Sequence, residues 1–127
     1  MIKVKILDLL NSVEILRKLS QQDFKAKTAW QIVRLLKAAE SEIQGFSEAR
    51  MNLITKYAEK DENGALIKDD NDNVKLIPET MEAFSAEVNE LLESEVEINA
   101  NKLSIEQLEN ADFTPSEMAM LEPFIEE

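Results

Sequence analysis

The stretch FKAKTAWQIVRLLKAAESEIQGFSEARMNLITKYA, residues 24–58, decides the fold class. Ala29, Trp30, Val33, Leu36, Ile43, Phe46, Leu53, Ile54 and Tyr57 recur on neighbouring faces of a helical period, and no proline interrupts them. The pattern predicts a helix that begins between Phe24 and Thr28 and runs to about Ala58. Thirty helical residues would span ~45 Å, which is long for a domain of this size. The helix is therefore expected to project, to bend at Gly45, or to pair with a second copy of the chain. Gly45 is the natural bend, because glycine in a helix interior costs about 1 kcal/mol against alanine.

On the N-terminal side, Ile2, Val4 and Ile6 alternate with Lys3 and Lys5, the pattern of a strand with one buried and one wet face. Asp8 is placed to cap a first helix, whose Leu9, Leu10, Val13, Leu16 and Leu19 follow at helical spacing to about residue 19. On the C-terminal side, Asp61-Glu62-Asn63-Gly64 reads as the stop of the long helix. Two short strands, 65–68 and 74–77, are joined by the polar loop Asp69-Asp70-Asn71-Asp72-Asn73 as a β-hairpin, expected to join a larger sheet or to act as a mobile flap.

Pro78 opens a third helix to about Glu93, with Met81, Phe84, Val88, Leu91 and Leu92 on one side and Glu79, Glu82, Glu87, Glu90 and Glu93 on the other. Val96 and Ile98 alternate with Glu95 and Glu97 as a further strand. Its glutamates match Lys3 and Lys5, so the two strands are predicted to pair. Two short helices close the chain. Ser104 caps one that ends near Asn110, and Thr114-Pro115-Ser116-Glu117 combines a capping box with proline at the first helical position; Pro123 closes the second. Neither a repeat nor an interdomain linker is evident. The expected fold is α+β and predominantly helical: one long central helix, a small sheet including a β-hairpin and short C-terminal helices, in a single domain over residues 1–127.

The 127 residues hold neither cysteine nor histidine. That excludes disulfides, thiolate metal sites, the commonest metal ligand and every triad built on imidazole, leaving only carboxylate, lysine or tyrosine chemistry. With glycine only at positions 45 and 64, no phosphate-cradling loop can be built. The Asp69 loop places Asn71 and Asn73 where a calcium loop has ligands, but Val74 stands where its glycine belongs and Thr80 where its glutamate belongs, so a solvated turn is expected. Carboxylates are plentiful, and nearly all fall on exposed faces. The expectation is a protein that is no enzyme and carries no cofactor or metal. No apolar run reaches signal-peptide or membrane-span length, so a cytoplasmic location and no membrane contact are expected.

Charge is distributed unevenly. Residues 1–57 carry +4 and residues 58–127 carry −16, for a total of −12. An acidic surface that meets a basic partner and an acidic half that packs on the basic half are both open. Net charge opposes direct nucleic-acid binding and leaves room for the inverse, an acidic ridge imitating a phosphate backbone. Lys25, Lys27, Arg34 and Lys37 cluster around Trp30. Beside Val33 and Leu36 that tryptophan reads as core; left exposed, it would anchor a partner. Leu121-Glu122-Pro123-Phe124-Ile125 reads as a tail closing over the core, with a docking element built on Phe124 as the alternative.

The segments 3–11 (KVKILDLLN), 56–64 (KYAEKDENG), 90–98 (ELLESEVEI) and 121–125 (LEPFI) together resemble a group of small uncharacterised proteins encoded by tailed phages and prophages of Gram-positive bacteria. The resemblance spans most of the chain and its motifs are structural, carrying no catalytic residue or cofactor. It implies the cytoplasm of a bacterial host and action by binding other proteins. The resulting expectation is a non-enzymatic phage accessory protein that engages a host or phage protein through Glu79, Glu82, Glu87, Glu90, Glu93, Trp30 and Phe124. The alternatives are an acidic nucleic-acid mimic that inhibits a DNA-binding enzyme, and a virion structural or assembly protein that oligomerises through the long helix.

Overall fold

A computed structural model of the chain describes residues 2–71, 73–109 and 111–126. The α+β class is as expected, and the elements follow in the order β1 (Ile2–Lys5), α1 (Ile6–Ser20), α2 (Ala26–Tyr57), α3 (Met81–Glu93), β2 (Glu95–Ile98), β3 (Leu103–Ser104), α4 (Pro115–Met120) and β4 (Ile125–Glu126), with 3-10 turns at Pro78–Thr80, Glu106–Leu108 and Glu122–Phe124. Contacts divide the chain into two compact units, residues 1–44 with 93–127, and residues 45–92. Met1, Asp72, Asn110 and Glu127 lie outside the described residues, and with them one position of the Asp69 loop and the expected end of the Ser104 helix.

The first unit is built on the pairing anticipated from charge. β1 and β2 run antiparallel in the register Ile2↔Ile98, Lys3↔Glu97, Val4↔Val96, Lys5↔Glu95. Lys3 reaches Glu97 at 4.0 Å, whereas Lys5 turns from its register partner to Glu93 at 2.8 Å. α1 starts at Ile6, and Asp8 caps nothing. The Ile6 N–H is satisfied instead by the Ser94 carbonyl at 3.0 Å, so strand pairing takes over the task of a capping side chain and Asp8 falls in the first turn, where the helix dipole favours it.

Leu9, Leu16, Leu19, Ile32, Leu35, Ile98, Leu103, Leu121 and Phe124 are almost wholly shielded from solvent and form the core of this unit. Ser12 is buried beside them, and its hydroxyl donates to the Met120 carbonyl at 2.9 Å, tying α1 to the end of α4. The capping box at Thr114 forms as read from the sequence. The segment 104–110 does not become an α-helix. It forms a two-residue strand and a 3-10 turn, with the Gln107 side chain accepting from the Ser104 N–H at 2.9 Å. β3 then pairs in parallel with β4, so Pro123 sits within a 3-10 turn that leads into a strand.

The second unit departs further from expectation. α2 runs through Gly45 without a break in its helical assignment and stops at Tyr57. A continuing helix would give the Tyr57 carbonyl to the Asp61 N–H; here Ile77 takes that carbonyl at 2.9 Å and Asp61 donates to Ala65 at 2.9 Å. Tertiary pairing thus overrides the helix propensity of Ala58. The hairpin gains a third extended segment, 58–60, and the bridges Ala58↔Leu76, Lys60↔Leu66 and Lys68↔Val74 link each segment to both others. Glu59 N–H donates to Lys75, Lys75 N–H to Ile67 and Ile67 N–H to Glu59, at 2.8, 2.8 and 3.0 Å, closing a ring of hydrogen bonds. The absence of a repeat is also corrected: Lys60-Asp61-Glu62-Asn63 and Lys68-Asp69-Asp70-Asn71 make the same turn, each aspartate accepting from the backbone two and four residues on. Gly64, at φ 81, completes the first of them.

Candidate functional site

Ile32, Leu35 and Ala39 bury one face of α2 against the first unit's core. At ~100° per residue, Lys27, Trp30, Arg34 and Lys37 then fall within an arc of about 80° roughly opposite to it. Trp30 is 62% exposed and Val33 beside it is 36% exposed, so the reading of Trp30 as core is corrected. The helix needs only Ile32, Leu35 and Ala39 for burial, and Trp30 lies on the wrong side of the wheel. The start of α2 is held in place by Gln107, whose side-chain amide donates to Thr28 Oγ1 at 3.2 Å and to Gln31.

The cations on this face differ from those around β1 and α1. Lys3, Lys5, Arg17 and Lys18 are each paired with a carboxylate. Among the described residues, Lys25, Lys27, Arg34 and Lys37 form no ion pair, although the chain carries 26 acidic residues. The result is a tryptophan set among cations with no carboxylate of their own.

α3 supplies an acidic counterpart. Glu79, Glu82, Glu90 and Glu93 are exposed, and Glu93 holds Lys5. Glu87 does not belong with them: it is half-buried, reaches Lys56 at 3.5 Å, and its second oxygen is buried without a hydrogen bond. It lies on the same side as Phe84 and Leu91, where the wheel turns it toward α2. Phe124 is wholly buried, which corrects its place as a docking residue. Once Pro123 bends the tail and β4 pairs with β3, the ring is carried into the core; a tail closing over the core is the reading that holds.

Among the described residues, no group of three acidic side chains is arranged to hold a metal ion. One open groove, lined by Gln31, Lys102, Ser104, Gln107 and Glu122 among others, brings amides and a hydroxyl together without a base beside a nucleophile. Four perturbed groups sit in ion pairs elsewhere. Lys56 is raised, first by its hydrogen bond to Tyr57 and then by Glu87. Lys5 is raised, chiefly by its hydrogen bond to Glu93; Arg17 is raised by its hydrogen bond to Glu40; Glu117 is lowered, first by the Thr114 backbone N–H and then by Lys18. Among the described residues no helix is long and apolar enough to cross a membrane.

An α+β chain with a cation-and-tryptophan helix face and a separate acidic helix is the class that fold and surface define. The chain belongs to the family described as Protein of unknown function (DUF1617), which it matches over residues 1–127. No curated protein and no solved structure matches it.

Proposed function

We propose that the chain is a non-enzymatic protein-binding module, a phage or prophage accessory protein that engages a protein partner in the cytoplasm of the bacterial host. The observation that carries this reading is the Trp30 face. A tryptophan 62% exposed on α2, amid unpaired Lys27, Arg34 and Lys37, has the composition of an interface anchor, since tryptophan and arginine dominate binding energy where they are desolvated. The absence of histidine and cysteine supports binding over turnover. In affinity capture from host lysate, Trp30→Ala and Arg34→Glu baits should lose the partner that the wild type retains. Equal recovery from all three baits would remove the face from the argument.

A second reading rests on the acidic helix. No lysine or arginine occurs from residue 76 to residue 101, and Glu79, Glu82 and Glu90 are exposed there, which supports imitation of a phosphate backbone toward a DNA-binding enzyme. Salt separates the two readings: affinity of a mimic collapses as ionic strength rises, whereas a tryptophan-anchored contact keeps its apolar part.

A further inference from the structure

The Trp30 face and the outer face of α3 are complementary in charge, in spacing and in side-chain size. Lys27, Arg34 and Lys37 are spread over about 15 Å of helix at 1.5 Å per residue, and Glu82, Glu90 and Glu93 over about 16.5 Å. Laid parallel, the two rows place Lys27 opposite Glu82, Arg34 opposite Glu90 and Lys37 opposite Glu93. In that register Trp30 falls opposite Ser85 and Ala86, small exposed side chains that leave room for an indole ring. Glu93 would share its charge between Lys5 and the new cation, as a carboxylate with two oxygens can.

We infer that the α2 face centred on Trp30 docks the acidic outer face of α3 of a second copy of this chain. The inference rests on the protein-binding reading and names its occupant. The contact is heterologous, because the two surfaces that meet are different, and the docked pair retains one free surface of each kind unless the arrangement closes on itself. The chain thereby acquires a means of ordered self-assembly that the expected partner-binding role does not require. A second copy is favoured over nucleic acid because the complementary surface is present on the chain itself, while a polyanion approaching Trp30 meets a molecule of net charge −12.

Trp30 is the chain's single tryptophan, so its fluorescence reports this face alone. On concentrating the full-length protein at low salt, sedimentation should show association, and the emission of Trp30 should shift to the blue over the same range. High salt should reverse both. The triple variant Lys27→Glu, Arg34→Glu, Lys37→Glu should weaken association at least about tenfold, as should the double variant Glu82→Lys, Glu90→Lys, since each sets like charges against one another. Mixing the two variants should restore association, because the mixture contains one intact α2 face and one intact α3 face; restoration also proves both variants folded.

Sedimentation as a monomer at every concentration overturns the inference, and so does association in which Trp30 emission stays unchanged or both charge reversals have no effect. A blue shift that is independent of concentration overturns it in favour of docking within one chain. A monomer whose Trp30 responds to an oligothymidine overturns it in favour of nucleic acid. A monomer that binds a different protein through Trp30 overturns self-docking while leaving the protein-binding reading intact; loss of both sinks the two together.

Discussion

The two compact units differ in what holds them together. In residues 1–44 with 93–127, ten large apolar side chains from α1, α2, the strands and the C-terminal tail, Ile2 among them, are almost wholly buried, and Ser12 satisfies its hydroxyl among them. In residues 45–92, Ala58 is the one buried residue among those described, although Phe46, Leu53, Ile54, Tyr57, Phe84 and Leu91 all lie there at intermediate exposure. Tyr57 and Phe84 meet edge to face at 6.2 Å, and Lys56 reaches Glu87, but these apolar side chains stay partly exposed. Burial of apolar area is the main favourable term in folding. The first unit therefore sets the stability of the chain, and the second holds its form through backbone pairing and turn chemistry.

The largest effect expected from this contrast is in matched aromatic truncations. Phe124→Ala should cost about 3–5 kcal/mol, the usual range for emptying a filled aromatic site. Phe84→Ala should cost only about 1–2 kcal/mol, part of a transfer free energy plus one aromatic pair. Urea unfolding of both variants checks the ratio, and equal costs would break the comparison. Native-state hydrogen exchange sharpens it: α3 amides should open at lower free energy than those of α1.

Smaller effects are expected at the two glycines, with opposite signs. Around Gly45 an added Cβ meets nothing within 4 Å, and the position is helical, so Gly45→Ala should stabilise by about 1 kcal/mol. Gly64 also has open space but sits at φ +81, so Gly64→Ala should destabilise by about 1 kcal/mol through the backbone alone. Thermal melting of the pair reads both signs. A destabilised Gly45→Ala would mean that the long helix needs to bend there.

These tests fall where sequence and structure part. Period and charge made α1, the pairing of Lys3 with Glu97, the Thr114 capping box and most of α3 legible, because each is fixed by neighbours a few residues away or by one ion pair. The end of α2 was not legible, because the Tyr57 carbonyl is taken by Ile77 from beyond two turns. The repeated Lys-Asp-x-Asn of residues 60–63 and 68–71 was present in the sequence and became meaningful only once both aspartates made the same turn. At the candidate site, Glu82 and Glu90 were placed correctly on the outside. Trp30 was misjudged by adjacency to Val33 and Leu36, although a wheel aligned on Ile32, Leu35 and Ala39 turns it outward. Phe124 was counted among the docking residues as the alternative to a tail closing over the core, and the pairing of β4 with β3 carries the ring inward.

The smallest effect tests whether the first unit's margin extends to its polar contacts. Glu117 is held below its ordinary value by the Thr114 N–H and by Lys18, so the folded chain keeps it ionised more firmly than the unfolded chain does. A carboxylate lowered in this way contributes stability above its unfolded pKa and loses it as pH falls through the lower folded value. The wild type should therefore melt above Glu117→Gln at neutral pH, and the gap should close on acidification below the usual carboxylate range. Glutamine can still accept from the Thr114 N–H, so the gap isolates the charge that faces Lys18 at 2.9 Å. Lys5 supplies the opposite sign: its pKa is raised by Glu93, and its contribution is present below the ordinary lysine value and disappears as pH rises through the folded one. Both groups belong to the unit with the buried core. Protection of the α4 amides, corrected for the pH dependence of intrinsic exchange, should fall on acidification as Glu117 loses its charge.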